Sequence, residues 1–294
     1  MLRTGASLGH HESGPVEDVG RVGSLMLQYV RQGDRTILSN FRSRSPWHFF
    51  PPISLDDTAC AYTSLVNPSG GLVGGDRLSI QATLEENAHV LFSTPSANRI
   101  YRSLSETSVQ SVELTVGPGA IAEWIPEATI PFAGSRFHQT IHVRLKPGAT
   151  VLLWDAIASG RIARNERWAF ASLQNEVRIS TSSGGSMVER YHLVPGEKGT
   201  GVGIVQEWDY VAALYLISSG VGTDALKRIE ERIAVALDER PDLVLGGVSR
   251  PSVPGLVVKL VARSAVDLTV VLEALWKAMR EELWGLPIPA IRRY

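Results

Sequence analysis

Glu123 and Glu127 flank Trp124-Ile125-Pro126, and this carboxylate pair is the first place in the chain where residue type and spacing suggest chemistry. Beside tryptophan and proline a carboxylate is partly buried, and burial then requires a cationic partner or a metal ion. Carboxylates with water suit hard or borderline divalent cations; ordinary ion pairing satisfies the same residues. A second group, Gly160-Arg161-Ile162-Ala163-Arg164-Asn165-Glu166-Arg167-Trp168, packs three arginines around one glutamate, a composition for bidentate pairing that stiffens a loop. His138 and His142 stand four apart. On a strand they share a face about 13 Å apart, too far to hold one ion. Thr140, Ile141 and Val143 favour that strand over a chelating helix. His10-His11-Glu12 offers weak metal donors in a polar stretch, without a third or fourth spaced ligand. Cys60 is the only cysteine, which excludes an intramolecular disulfide and a thiolate metal cluster within one chain. There is no Gly-x-Ser-x-Gly elbow, no His-Glu-x-x-His and no cofactor fingerprint. An enzyme built on this set would be a metal-dependent hydrolase or lyase using the acidic cluster of Glu123, Glu127 and Glu166.

The most unusual local composition is Asn67-Pro68-Ser69-Gly70-Gly71-Leu72-Val73-Gly74-Gly75-Asp76. Gly70, Gly71, Gly74 and Gly75 bracket a small apolar pair and end on the Asp76 carboxylate. Glycines this dense mark positive φ angles, a tight turn, or close approach of another backbone or a ligand. Gly-x-x-x-x-Gly-Lys-Ser/Thr is absent, as is Gly-x-Gly-x-x-Gly opening a helix. The following Arg77–Leu84 alternates as a strand does. A structural β-loop is the leading reading and direct ligand contact the other.

The elements that must position these residues read mostly as short strands. Ser24–Val30 and Arg35–Leu38 flank Gln32-Gly33-Asp34, a hairpin signal, and Pro46, Pro51 and Pro52 mark an irregular connection. A weak repeat follows. Ala88, Ala120 and Ala149 each sit after a turn and before a second strand, at spacings of 32 and 29 residues. A period of about 30 is that of stacked repeat units. The expectation is a stack of β layers, each turn near the next. The segments Ser93 to Arg102, Glu123 to Arg136 and Asp155 to Arg167 should then emerge on one side. The last quarter holds two amphipathic helices. Thr223 is placed to cap the first, with Leu226, Ile229, Ile233 and Leu237 on its apolar stripe. Ser264-Ala265-Val266-Asp267 caps the second, which carries Leu268, Val271, Leu272, Leu275, Met279 and Leu283 and stops at Gly285 and Pro287. Val244-Leu245 and Leu256–Val261 are strands between them. The fold class is therefore mainly β: a layered stack of strands with two α-helices in the C-terminal half. Residues 1–19 read as a flexible tail and residues 20–294 as a single β-rich domain.

Bulk properties exclude several function classes. The chain has 294 residues, a formal net charge of −1 and 20% charged residues, so nothing marks it for nucleic acid or an acidic membrane. Hydrophobic content of 44% argues against global disorder. No apolar run approaches a bilayer span, and no secretory start is present. Together with the single cysteine, this fits a cytoplasmic protein.

Several of these motifs, in this order, resemble one family. Pro-Ser-Gly-Gly-Leu-Val-Gly-Gly-Asp at 68–76 is similar to a signature of the urease accessory protein UreD (UreH). Ser93-Thr94-Pro95-Ser96-Ala97-Asn98-Arg99-Ile100-Tyr101-Arg102 is similar to that family's Thr-Thr-x-x-Ala-x-Lys-Val-Tyr-Arg segment. Glu123–Ile130 is similar to its Glu-Trp-Leu-Pro-Gln-Glu-Thr-Ile segment, with the second glutamate shifted by one place. Gly160–Arg167, the Leu256–Val258 strand and the Leu275–Arg280 helix match in kind. The resemblance runs from about residue 20 to the end. Arg99, Pro95, Asn98 and Pro131 depart from the usual pattern.

The resemblance implies a non-enzymatic role. Family members join the accessory proteins UreF and UreG, a GTPase, on apo-urease and help to deliver nickel and assemble its dinickel site. Their fold implies, for this chain, a layered, β-helix-like stack of two sheets with a couple of helices, and a tunnel through it is proposed to pass nickel. By motif match, Asp76, Glu123 and Glu166 are candidate polar residues of a nickel path, with Thr94, Arg99, Tyr101 and Arg161 as further members. No tightly bound cofactor is implied: nickel is in transit, on carboxylates and water that release it readily. Partners would be UreF, UreG and apo-urease subunits, with a homodimer through the complex left open.

Overall fold

The computed structural model describes residues 21–195 and 208–291. The expected tail at 1–19, with His10, His11 and Glu12, lies outside the described residues.

In chain order the strands begin with β1 (Val22–Gln32), β2 (Arg35–Arg44), β3 (His48–Phe49), β4 (Ala61–Val66), β5 (Gly71–Leu72) and β6 (Arg77–Leu84). They continue with β7 (His89–Ser93), β8 (Asn98–Ile100), β9 (Ser108–Val116), β10 (Ile121–Trp124), β11 (Thr129–Pro131) and β12 (Arg136–Leu145). The remainder are β13 (Thr150–Ala158), β14 (Ser172–Thr181), β15 (Ser186–Leu193), β16 (Tyr210–Ser218), β17 (Val244–Ser249) and β18 (Gly255–Ala262). Two α-helices interrupt the last group, α1 (Thr223–Asp238) and α2 (Ala265–Trp284).

A seven-stranded sheet has the order β15-β14-β12-β9-β6-β1-β2. Its interior pairs are parallel, and antiparallel strands close both ends. The second sheet runs β17-β18-β16-β13-β10-β7-β4-β3, with β4, β7, β10 and β13 parallel. The short strands β5, β8 and β11 pair in parallel on a third side. The chain therefore passes from one sheet to the other once per coil, as the repeat predicts. One apolar core fills the space between the sheets, and a second lies between the larger sheet and the two helices.

The repeated alanines mark the inner corners of the coils: Ala88, Ala120 and Ala149 are all fully buried. Their turns stack through backbone bonds. Asn87 N donates to Pro118 O, Gly119 N to Pro147 O, Ile121 N to Ala88 O and Thr150 N to Ala120 O. Asn87, Gly119 and Gly148 hold the same left-handed position, with φ of 56°, 62° and 71°. Only glycine, or a short polar residue such as asparagine, adopts this conformation cheaply. The segments after each corner do meet on one side. Asn98 pairs with Thr129, Thr129 with Ile157, and Thr94 Oγ1 accepts a bond from Glu127 N.

The hairpin at Gly33 forms as expected, with strands longer than the sequence signal. Helix α2 starts on Ser264, whose hydroxyl accepts a bond from Asp267 N, and ends on Gly285 in the left-handed region. Thr223 is different: it is the first residue of α1 rather than its cap, and Gly222 stands at the cap position without a side-chain bond. The buried stripe of α1 is Leu226, Ile229, Ile233 and Leu237, as the spacing predicts. None of the described helices is long and apolar enough to cross a membrane.

Candidate functional site

The core between the sheets contains a polar seam. Asp155 on β13 points inward, on the face that carries Val151, Leu153 and Ile157. Its Oδ1 accepts from Gln139 Nε2 at 3.0 Å, and its Oδ2 accepts from Asn175 Nδ2 at 2.7 Å. The Tyr191 hydroxyl donates to the same Oδ2 at 3.5 Å. Gln110, Gln139 and Asn175 are register neighbours on β9, β12 and β14, so their amides form a ladder along one wall. Asn98 Nδ2 continues it by donating to Gln110 Oε1. Thr94, Asn98, Gln110, Glu127, Gln139 and Asp155 line a cavity of about 70 Å³ here. That is room for an ion and roughly one or two waters. Burial pushes the Asp155 carboxyl above its ordinary value, against the opposing hydrogen bonds from Gln139, Asn175 and Tyr191. A cation entering the seam would favour the charged form and offset that burial.

Glu123 lies on the opposite face of the larger sheet, under α2. It is completely buried. Its Oε1 accepts from His89 Nε2 at 2.6 Å and from Arg280 Nη1 at 2.7 Å; its Oε2 accepts from Trp276 Nε1 at 2.6 Å. Burial raises the Glu123 carboxyl, but the bond and charge of His89, then the Arg280 charge and the Trp276 bond, outweigh it and hold the group below its ordinary value. Cys60 completes a buried trio: one donor atom each from Cys60, His89 and Glu123 lie within 4.8 Å of one another. These are ligand types for a borderline divalent ion. Arg280 already supplies the positive charge, so the arrangement is a buried ion pair. An ion would enter only after the guanidinium left Glu123. Arg280 Nε and Nη2 are buried without hydrogen-bond partners among the described residues.

Most of the motif residues gather along a third region, the short-strand side. Gly71 approaches the Arg99 carbonyl so closely that a Cβ there would stand 2.1 Å from it, which explains the glycine. Gly70 faces Arg99 Nη1 and the Tyr101 hydroxyl. The Tyr101 ring meets Phe132 edge-on at 5.1 Å, and the Arg161 guanidinium lies 4.3 Å over that same Phe132 ring. Arg161 forks onto Glu166 through Nε and Nη2, and Glu166 Oε2 also accepts from Ala133 N. Only Arg161 of the three arginines pairs with Glu166; Arg167 forks onto Asp209 instead. Asp76 is separate. It closes the turn after Gly74 and Gly75, its Oδ2 accepting from Val73 N at 2.8 Å, while its buried Oδ1 has no partner. Burial pushes the Asp76 carboxyl up, with the Val73 bond and the Arg21 charge opposing.

The glycine string forms a β-loop in which Gly70 and Gly71 also line the cavity of the seam, and Glu123, Glu127 and Glu166 occupy three different surroundings. Sequence reasoning missed Asp155 as a site residue, although a lone carboxylate inside the apolar run Val151–Ala158 is the signal that marks it. It also missed His89, Cys60, Trp276 and Arg280 around Glu123, for which the spacing along the chain gives no sign.

Comparison with known proteins places this chain in a family. The profile of the UreD urease accessory protein matches residues 21–293. The urease accessory protein UreD of Cupriavidus necator is 28% identical over 273 residues, covering 92% of each chain. UreD 2 of Streptomyces griseus is 30% identical over 280 residues, covering 93% of this chain and 94% of the relative. UreD of Haloarcula marismortui is 29% identical over 277 residues, covering 94% and 91%. With a family match along nearly its whole length and a relative 30% identical over almost all of both chains, this chain belongs to the UreD family of urease accessory proteins.

Proposed function

We propose that this chain is a non-catalytic, cytoplasmic maturation factor of urease. It is a β scaffold that holds apo-urease together with UreF and the GTPase UreG, and nickel passes through it as cargo on the way to the urease active site. One observation carries the nickel route: a carboxylate and a ladder of amides line a cavity in an otherwise apolar core. Polar groups buried between two sheets are costly unless they serve structure or a polar cargo. Oxygen donors bind nickel more weakly than thiolate or imidazole, which suits transfer over storage. The short-strand rim, with Thr94 and Glu127 lining the cavity and Arg99, Tyr101, Arg161 and Glu166 beside it, is the proposed mouth.

The hydrolase reading has less support. Its three carboxylates do not converge, and Glu123 and Glu166 are both paired with arginine.

The test is reconstitution of urease activity from apo-urease, UreF, UreG and this chain, with nickel, GTP and bicarbonate. Asp155→Asn is expected to lower activation several-fold while the accessory complex still forms. Full activation by that variant removes the seam from the route. A folded wild-type chain that neither binds these partners nor raises activity overturns the maturation role itself.

A further inference from the structure

The outer face of the seven-stranded sheet, parallel in its interior and antiparallel at both edges, has no helix or strand of the described residues packed over it. Parallel sheets are usually covered on both sides. In-register rows cross this face, and their charges are unevenly satisfied. At the β14–β15 end, Glu176 is shared by Arg178, Arg190 and His142. Farther in, Arg144 pairs with Glu113. At the β2 end, Arg44 stands opposite Ser24 and Arg42 opposite Met26, and neither forms an ion pair among the described residues. The two arginines, with Ser24, Ser79 and Gln81, wall a depression of about 210 Å³. Arg44 Nη2 is buried there with no hydrogen-bond partner among the described residues. A desolvated, unpaired guanidinium donor is unfavourable until an oxyanion meets it.

We propose that this corner binds the carboxylates of an acidic segment on a protein partner. Two guanidinium forks at one depression match carboxylates bidentately, and the Ser24 hydroxyl and the Gln81 amide add neutral donors around them. The charge is local: the whole chain is at −1, so the corner is a patch of opposite sign on a weakly acidic protein. Nucleic acid fits poorly. A bound strand needs a continuous basic track and stacking aromatics, whereas the row leading away from Arg44 is Ser24, Ser79, Ser111 and Thr140. The inference does not depend on the nickel route, because the corner lies on the outer side of the sheet.

The experiment is fluorescence anisotropy of a labelled, end-blocked hexaglutamate peptide titrated with the full chain at low salt and at about 0.3 M salt. Wild type is expected to bind at low salt and to weaken strongly at high salt. Arg42→Gln with Arg44→Gln should weaken binding about tenfold or more, a change of the size expected for a desolvated charge pair. Arg42→Lys with Arg44→Lys, which keeps the charge and loses the forks, should fall between. Arg144→Gln, the control on the same face, should bind as wild type does. Circular dichroism of each variant confirms folding. Three results overturn the proposal: wild-type affinity in the double glutamine variant, equal or tighter binding of an oligothymidylate of the same charge, or peptide binding that appears only after residues 1–20 are removed. The last would make the chain's own N-terminal segment the occupant.

Discussion

Glu123 and Arg280 lie 157 residues apart in the chain and 2.7 Å apart in the fold, with neither side chain exposed. This pair ties the middle coil to the last helix across the second core, and Trp276, one turn earlier on α2, holds the other oxygen of the same carboxylate.

Removing one partner strands the other charge in the core. Arg280→Ala and Glu123→Ala are each expected to cost about 3–5 kcal/mol, measured by urea denaturation. Any loss of urease activation in a Glu123 variant must therefore be compared with its stability before it is attributed to nickel. The joint replacement Glu123→Leu with Arg280→Met should recover part of the loss, because it removes the stranded charge but leaves the His89 and Trp276 groups without their acceptor; no recovery would show that those bonds, rather than the unpaired charge, set the cost.

The same pair sets an acid dependence. Glu123 is held below its ordinary value of 4.5, so its contribution is present above that value and lost as pH falls through the lower folded-state value. Acid titration of the unfolding free energy should show this loss in wild type and not in Glu123→Leu with Arg280→Met. Identical acid profiles would assign acid unfolding to other carboxylates.

Asp155 has the opposite sign. Its carboxyl is raised above 3.8, so its contribution is full below that value and lost as pH rises through the folded-state value. Asp155→Asn should melt higher than wild type at neutral pH, with the difference closing toward about pH 4. The amides of Gln139 and Asn175 can turn over to meet the new side chain. A gain in stability with a loss of urease activation is the signature of a functional residue kept at a structural cost. A melting point below wild type at neutral pH would mean that the carboxylate organises the seam.

The stacked corners make a simple comparison. Gly119→Ala forces a side chain into a φ of 62° and against Asn87 Oδ1, which a Cβ would approach to 2.5 Å. A destabilisation of about 1–2 kcal/mol is expected. Asn87→Gly at the equivalent corner keeps the conformation, and its thermal midpoint should stay close to wild type. Equal losses for the two would show that the asparagine side chain, not the backbone angle, matters there.

The parts legible in the sequence were those set by neighbours in the chain. Helix α2 is readable to both ends because Ser264 and Gly285 act within one turn of it. Thr223 misled because a glycine took the cap position beside it. The coil showed through Ala88, Ala120 and Ala149 because every corner needs a small buried residue. The amide ladder was hidden, although Gln110, Gln139 and Asn175 recur at separations of 29 and 36, near the same period. Recurrence of one residue type at the coil period is the signal that finds such a ladder. The surroundings of Glu123 had no signal at all. His89 reaches it through the register of the parallel strands β7 and β10, Cys60 stands just before β4, and Trp276 and Arg280 arrive on a distant helix.

Because the corners repeat one backbone geometry, the molecule grows in whole units only. Each added coil of roughly thirty residues would widen both sheets by one strand spacing, about 4.8 Å, without disturbing the coils on either side. The distance from one closed end of the stack to the other is thus a count of coils, a molecular ruler with fixed graduations. A relative that must reach farther would change its length by a full graduation, not by a few residues.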